Sequence, residues 1–202
     1  MSFLWAAIAH FIALTSPGPD TAIVLRQTTM HGRWSGIKAS IGIGFGIFFH
    51  SALAISGFSL LILSNENLKF YVSVIGGAYI VYLSIIMLKD DPEPNENNIN
   101  RFFQNPFMAG FITNVLNIKA FLFFVSLFSV LIQNINILGL YLYPIYFSVT
   151  SALWFILLSF LVTTAKIKNI NIISNKNISY VLSLVLLLIG LSVIFSGIND
   201  YF

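Results

Sequence analysis

Two ionisable residues, Asp20 and Lys119, stand inside long apolar runs where a charge is costly. An ionised side chain at the centre of a membrane-spanning helix costs about 2.5 to 3.5 kcal/mol, so each needs a partner, hydration or a ligand. If the two compensate one another they form a structural salt bridge. If they line a wet cavity they can receive the two ends of a zwitterionic solute, its ammonium at Asp20 and the backbone carbonyls of Ala13 and Thr15, its carboxylate at Lys119 and the N-terminus of the half-helix after Pro19. The second reading is preferred, because charges kept inside a membrane mark functional sites.

The residues beside them interrupt helices. In Ser16-Pro17-Gly18-Pro19-Asp20, Pro17 and Pro19 lack the N–H that a helix needs, which strips the carbonyls of Ala13 and Thr15 of their intrahelical partners. Ser16 is the expected N-cap and Pro17 the expected first residue of a second half-helix. Its N-terminus, with partial positive charge and free N–H groups, attracts an anionic group.

Asn114 and Asn117 belong to the other strongly polar interruption, Asn114-Val115-Leu116-Asn117-Ile118-Lys119-Ala120. Asparagine side chains compete with the helical backbone for hydrogen bonds, so this helix also opens. His50 follows Gly42, Gly44 and Gly46 on a glycine-rich run. It is either a hydrogen-bonded histidine in a close helix seam or a residue that relays protons. His10 has no partner visible in the sequence and is read as structural. The candidate solute pathway is Pro17, Gly18, Pro19, Asp20, His50, Asn114, Asn117 and Lys119, with no metal site.

The elements that position these residues must be helices in lipid. Hydrophobic side chains make up 57% of the 202 residues and charged ones 8%, against roughly 45 to 50% and about 25% in a soluble domain. So few charges cannot coat a soluble globule, and the net charge of +3 is no sign of a nucleic-acid partner. The absence of cysteine excludes disulfides, thiolate metal sites and thiol nucleophiles.

Apolar runs at about 3–30, 36–63, 69–88, 105–132, 137–164 and 178–198 each approach or exceed the length that crosses the hydrocarbon core. They are continuously apolar rather than alternating, which argues against a barrel. The expected fold is an all-α integral membrane protein, one domain over 1–202 with six transmembrane helices. Half-repeats of about 1–88 and 105–202 are joined by the loop 89–104, and three spans per half invert the second half relative to the first. Helices one and four are interrupted at mid-membrane. Gly77 followed by Ser84, and Gly190 followed by Gly197, give the halves a shared spacing.

Sidedness follows from the short loops. Arg26, Arg33, Lys38, Lys89, Arg101, Lys166, Lys168 and Lys176 fall on one side and Lys69 alone on the other. The basic side is cytoplasmic, including the loop 89–104, and both termini face out. The first run has no basic segment before it and is retained as a span rather than removed as a signal peptide. An intramembrane protease would need paired aspartates, a Gly-x-Ser-Gly with a histidine, or His-Glu-x-x-His, and none occurs, so no enzyme is expected. Export of cations or another small solute, and a non-transporting structural subunit, are the alternatives to amino-acid export.

Ser16-Pro17-Gly18-Pro19-Asp20 in the first span, the glycine-rich second span with His50, and Asn114, Asn117, Lys119, Phe121, Phe123 and Phe124 in the fourth resemble the LysE/RhtB family of amino-acid exporters. The resemblance covers the whole chain in length, span number and motif order. It implies a bacterial inner-membrane protein that expels amino acids or related metabolites, without a bound cofactor and driven by the proton gradient. Its partners would be the small-molecule substrate, membrane lipid and a second copy in a homodimer. Where the family pattern has Asn-Pro-Lys, this chain has Asn117-Ile118-Lys119, so a softer break is expected in helix four than in helix one.

Overall fold

The structure, a computed structural model, describes residues 2–16, 18–57, 61, 64–89, 105–131, 137–167, 176–199 and 201. Pro17 and most of the loop 89–104, from residue 90 onward, lie outside the described residues. Among the described residues the ordered elements are helices: α1 Ser2–Thr15, α2 Pro19–His31, α3 Arg33–Ile55, α4 Glu66–Lys89, α5 Pro106–Val115, α6 Ile118–Leu131, α7 Ile137–Ile167 and α8 Lys176–Asn199.

Polarity is turned inside out. Trp5, Tyr141, Leu4 and Phe195 are exposed, whereas Gln27, His50, Asn114, Ser151 and Ser183 are buried. Apolar side chains need no cover in lipid, but a polar group there must find a partner within the protein. Several hydroxyls do so on their own helix: Ser40, Thr113 and Ser159 donate to the carbonyls of Gly36, Ala109 and Phe155.

Of the six expected spans, Arg33–Ile55 and Tyr141–Thr164 are continuous helices long and apolar enough to cross a membrane. Pro106–Val115 with Ile118–Phe128 passes as one span bent by 57°. Among the described residues Phe3–Thr15 and Ser183–Asn199 are shorter apolar stretches, although α8 as a whole runs 24 residues. For α1 the reason is the break that follows Thr15, which divides the first run into two half-length helices.

α3 is the hub and packs against α2, α5, α6 and α7. Its small residues let neighbouring backbones come close, the usual device where no hydrophobic force drives helices together. A Cβ on Gly42 would strike the carbonyl of Phe107, and one on Gly44 would lie 3.0 Å from Ala152 Cβ. The α2–α3 reversal uses only Gly32, at φ 87°, a left-handed conformation that favours glycine.

The order of contacts gives relative directions. Gly42 meets Phe107 and Gly46 meets Asn114, so α3 and α5 run the same way. Gly36 meets Ser159 and Gly44 meets Ser148, so α3 and α7 run oppositely. Phe3 meets Tyr143 and Phe11 meets Trp154, so α1 and α7 are parallel. α4 and α8 pair antiparallel: Gly77 lies against Gly190 and Ile194, Gly197 against Ser73, and Ser84 Oγ donates to the Ser183 carbonyl at 2.9 Å. The spacing shared by Gly77, Ser84, Gly190 and Gly197 therefore has a packing cause, since these residues form one helix seam.

Candidate functional site

The two helix interruptions meet. α2 starts at Pro19 with Gly18 as its extended N-cap and Pro at the first helical position, not with Ser16 and Pro17 as the sequence implied. The cap shifts by two residues because Pro19 provides the pre-set φ and Gly18 accepts the extended backbone before it. The Gly18 carbonyl takes the first helical N–H, from Ala22, at 3.1 Å.

In the fourth span the break falls at Leu116 and Asn117, and it is sharp despite Ile118. The Asn117 side-chain oxygen accepts from the Lys119 backbone N–H at 3.1 Å, which is the geometry of an N-cap to the second N–H of the helix. Proline at the first position favours such a start but is not required for it once the cap is present. Helix four is therefore broken without the proline.

Asp20 lies in the first turn of α2, and its Oδ2 accepts hydrogen bonds from Asn114 Nδ2 at 2.8 Å and Asn117 Nδ2 at 3.0 Å. Its Oδ1 is buried without a hydrogen-bond partner. Lys119 Nζ donates instead to the carbonyls of Ser16 at 2.8 Å and Ala13 at 3.4 Å, at the C-terminal end of α1. The carboxylate is thus held by two amides and the ammonium by two carbonyls, not by each other. The Ala13 carbonyl is open to an outside donor, as expected from the missing N–H at residue 17, but Ser16 rather than Thr15 supplies the second acceptor.

His50 stands behind this arrangement. Its Nε2 lies 2.9 Å from the Asn114 carbonyl, which can only accept, so Nε2 carries a proton and donates it. Asn114 packs in the groove left by Gly46, where a Cβ would lie 2.8 Å from Asn114 Cβ. His50 thereby supports the backbone of the residue that holds Asp20.

A cavity of about 50 Å³ opens among Ala13, Ser16, Gly18, Asp20, Thr21, Asn117, Lys119 and Ala120, with Leu14, Ile47, Phe123, Phe124 and Phe155 as its apolar wall. A water needs roughly 10 to 15 Å³ measured this way and polar partners, so the cavity can be wet. Gly18, Asp20, Asn117 and Lys119 line it; Pro19, Asn114 and His50 do not, and the Pro17 assignment lies outside the described residues. His10 lines it too, with Nε2 at 3.0 Å from Ser151 Oγ. The signal for it was in the sequence, since a histidine inside an apolar run calls for the same scrutiny as His50.

A family model of LysE type translocators matches residues 11–197, which include both interrupted helices. The chain is 29% identical to the threonine efflux protein of Escherichia coli (strain K12), over 66% of this chain and 68% of that protein. It is 29% identical to the uncharacterized membrane protein YrhP of Bacillus subtilis (strain 168), over 74% and 78%, and 24% identical to an uncharacterized membrane protein of Haemophilus influenzae over 96% of both. No solved structure matches. Helices that expose apolar faces, and polar groups gathered where two of them break, are the shape of a multi-pass membrane protein, and the chain belongs to the LysE type translocator family.

Proposed function

We propose that this protein is a secondary exporter of amino acids or closely related small solutes across the bacterial cytoplasmic membrane, driven by the proton gradient. The observation that carries the proposal is that Asp20 and Lys119 share one cavity while each is held by neutral polar groups. A pair fixed only for stability would satisfy each other, whereas charges held by exchangeable neutral partners are available to a zwitterion. The threonine efflux name of a relative supports an amino acid as cargo.

The N-termini of α2 and α6 converge on the cavity, and their partial positive charges suit a carboxylate. The carbonyl end of α1 and Asp20 suit an ammonium. A proton fits Asp20 at Oδ1, because Oδ2 already accepts two N–H donors. Protonation there from outside would weaken the hold on the ammonium and release the solute. The contact directions are compatible with six alternating passes in two inverted halves, and the basic loops favour both termini outside.

The test is efflux of a panel of labelled amino acids, threonine included, from loaded proteoliposomes with and without an imposed proton gradient. Gradient-dependent efflux of at least one amino acid is expected. Failure of the whole panel in a well-folded preparation would overturn the assignment.

A further inference from the structure

Resting on the exporter reading, we infer that the carbonyls of Ala13 and Ser16 form the subsite for a primary ammonium, and that Lys119 occupies it as a tethered stand-in whenever cargo is absent. Three observations support this. The Lys119 ammonium, the same chemical group as the amine of an amino acid, is already seated on those two carbonyls, at 3.4 and 2.8 Å. The carbonyls belong to the C-terminal end of α1, where the helix leaves acceptors unpaired and carries partial negative charge. The seat opens into the cavity that also contains Asp20, and Gly18 lies beside it, where a Cβ would come within 3.7 Å of Nζ.

Lys119 is suited to leaving. It is exposed, its stem is long and flexible, and its anchors are neutral carbonyls rather than a carboxylate. Its departure would also enlarge a cavity of about 50 Å³, well below the roughly 150 Å³ that accommodates a benzene-sized guest. Incoming cargo would therefore place its ammonium where Nζ was, and the freed lysine could turn to the cargo carboxylate. The carboxylate role of Lys119 and the ammonium role of Ala13 thus become successive rather than simultaneous, because in this structure the two groups bind one another.

The test uses Lys119→Met, which keeps the length and apolar stem and removes the ammonium, in the full-length protein in nanodiscs. Ethylammonium chloride is the probe for the vacated seat, and tetramethylammonium chloride, a cation with no N–H to donate, is the control. Ethylammonium should raise the thermal midpoint of Lys119→Met by several degrees and leave the parent unmoved, with no response to the control in either. Should Lys119→Met not fold, Lys119→Ala assembled in the presence of ethylammonium takes its place, and recovery by ethylammonium but not by tetramethylammonium is expected.

Equal responses of parent and variant to ethylammonium, or an equal response to tetramethylammonium, would overturn the subsite. A parent that moves no amino acid would defeat the exporter reading, while the ethylammonium measurement would still decide the subsite.

Discussion

Asn117 caps α6 through its side-chain oxygen and, through the nitrogen of the same carboxamide, holds Asp20 on α2 at 3.0 Å. One amide therefore fixes where the fourth span restarts and where the carboxylate of the first span sits. Serine at this position retains a capping oxygen but is too short to reach Asp20, whereas alanine loses both functions. Asn117→Ser should lose transport and about 1.5 to 3 kcal/mol with its hydrogen bond to the carboxylate, and Asn117→Ala should lose a further amount of about 1 kcal/mol with the cap. Denaturation in detergent alongside threonine efflux separates the two roles; equal transport by Asn117→Ser would show that the bond to Asp20 is dispensable.

Ile118 occupies the first position of α6, where the N–H has no helical partner and proline is tolerated. Its side chain packs against Gly76, so proline gives up some contact while reducing the freedom of the unfolded chain. Ile118→Pro should fold with stability within about 1 kcal/mol of the parent and keep its transport. Collapse of the fold would mean that residue 118 is held in a conformation proline cannot adopt, contrary to a helix that restarts there.

Both interruptions were legible from residue types, the first from prolines and the second from asparagines. The exact cap of α2 was not, because Ser16-Pro17 and Gly18-Pro19 are both good starts and only packing chooses between them. The need to satisfy an intramembrane charge was legible, but that Asn114 and Asn117 rather than Lys119 would bind Asp20 was not. That Lys119 would turn to Ser16 was hidden, since it depends on which carbonyls are left free where α1 ends. The 57° bend of the fourth span was not legible either, because hydropathy sums across a break without registering its angle.

Gly46 and Gly32 separate space from backbone strain. A Cβ at Gly46 would press on the Asn114 side chain that holds Asp20, whereas at Gly32 nothing lies within 4 Å but φ is +87°. Gly46→Ala should therefore displace Asn114, costing about 1 to 3 kcal/mol and most of the transport. Gly32→Ala should cost about 1 to 2 kcal/mol through its left-handed backbone and leave transport by the folded fraction intact. Comparison of efflux per folded molecule decides it, and normal efflux from Gly46→Ala would detach Asn114 from the mechanism.

Asp20→Asn preserves an oxygen that can accept from both asparagines but removes the site for a proton. The variant should fold, exchange amino acid across the membrane and fail to drive uphill efflux with a proton gradient. Because Asp20 and Lys119 bind other groups, the double variant Asp20→Asn with Lys119→Gln should show a coupling energy below about 0.5 kcal/mol in stability, whereas contacting partners couple by about 0.5 to 3 kcal/mol. Larger coupling together with restored uphill transport would identify a structural salt bridge.

The contact directions bear on topology without reference to charge. α1 runs with α7, α7 runs against α3, and α3 runs with α5, so α4, which connects α3 to α5, must return the opposite way. α8 runs against α4 and therefore against α1, which brings the C-terminus back to the side where the N-terminus lies. The distribution of lysine and arginine then predicts which side that is, and it favours the outside. Reporters fused at either terminus should both read periplasmic, and one inserted between residues 95 and 100 should read cytoplasmic. Termini on opposite sides would contradict the packing of α4 on α8, while termini together inside would leave that packing intact and overturn only the reading from charge.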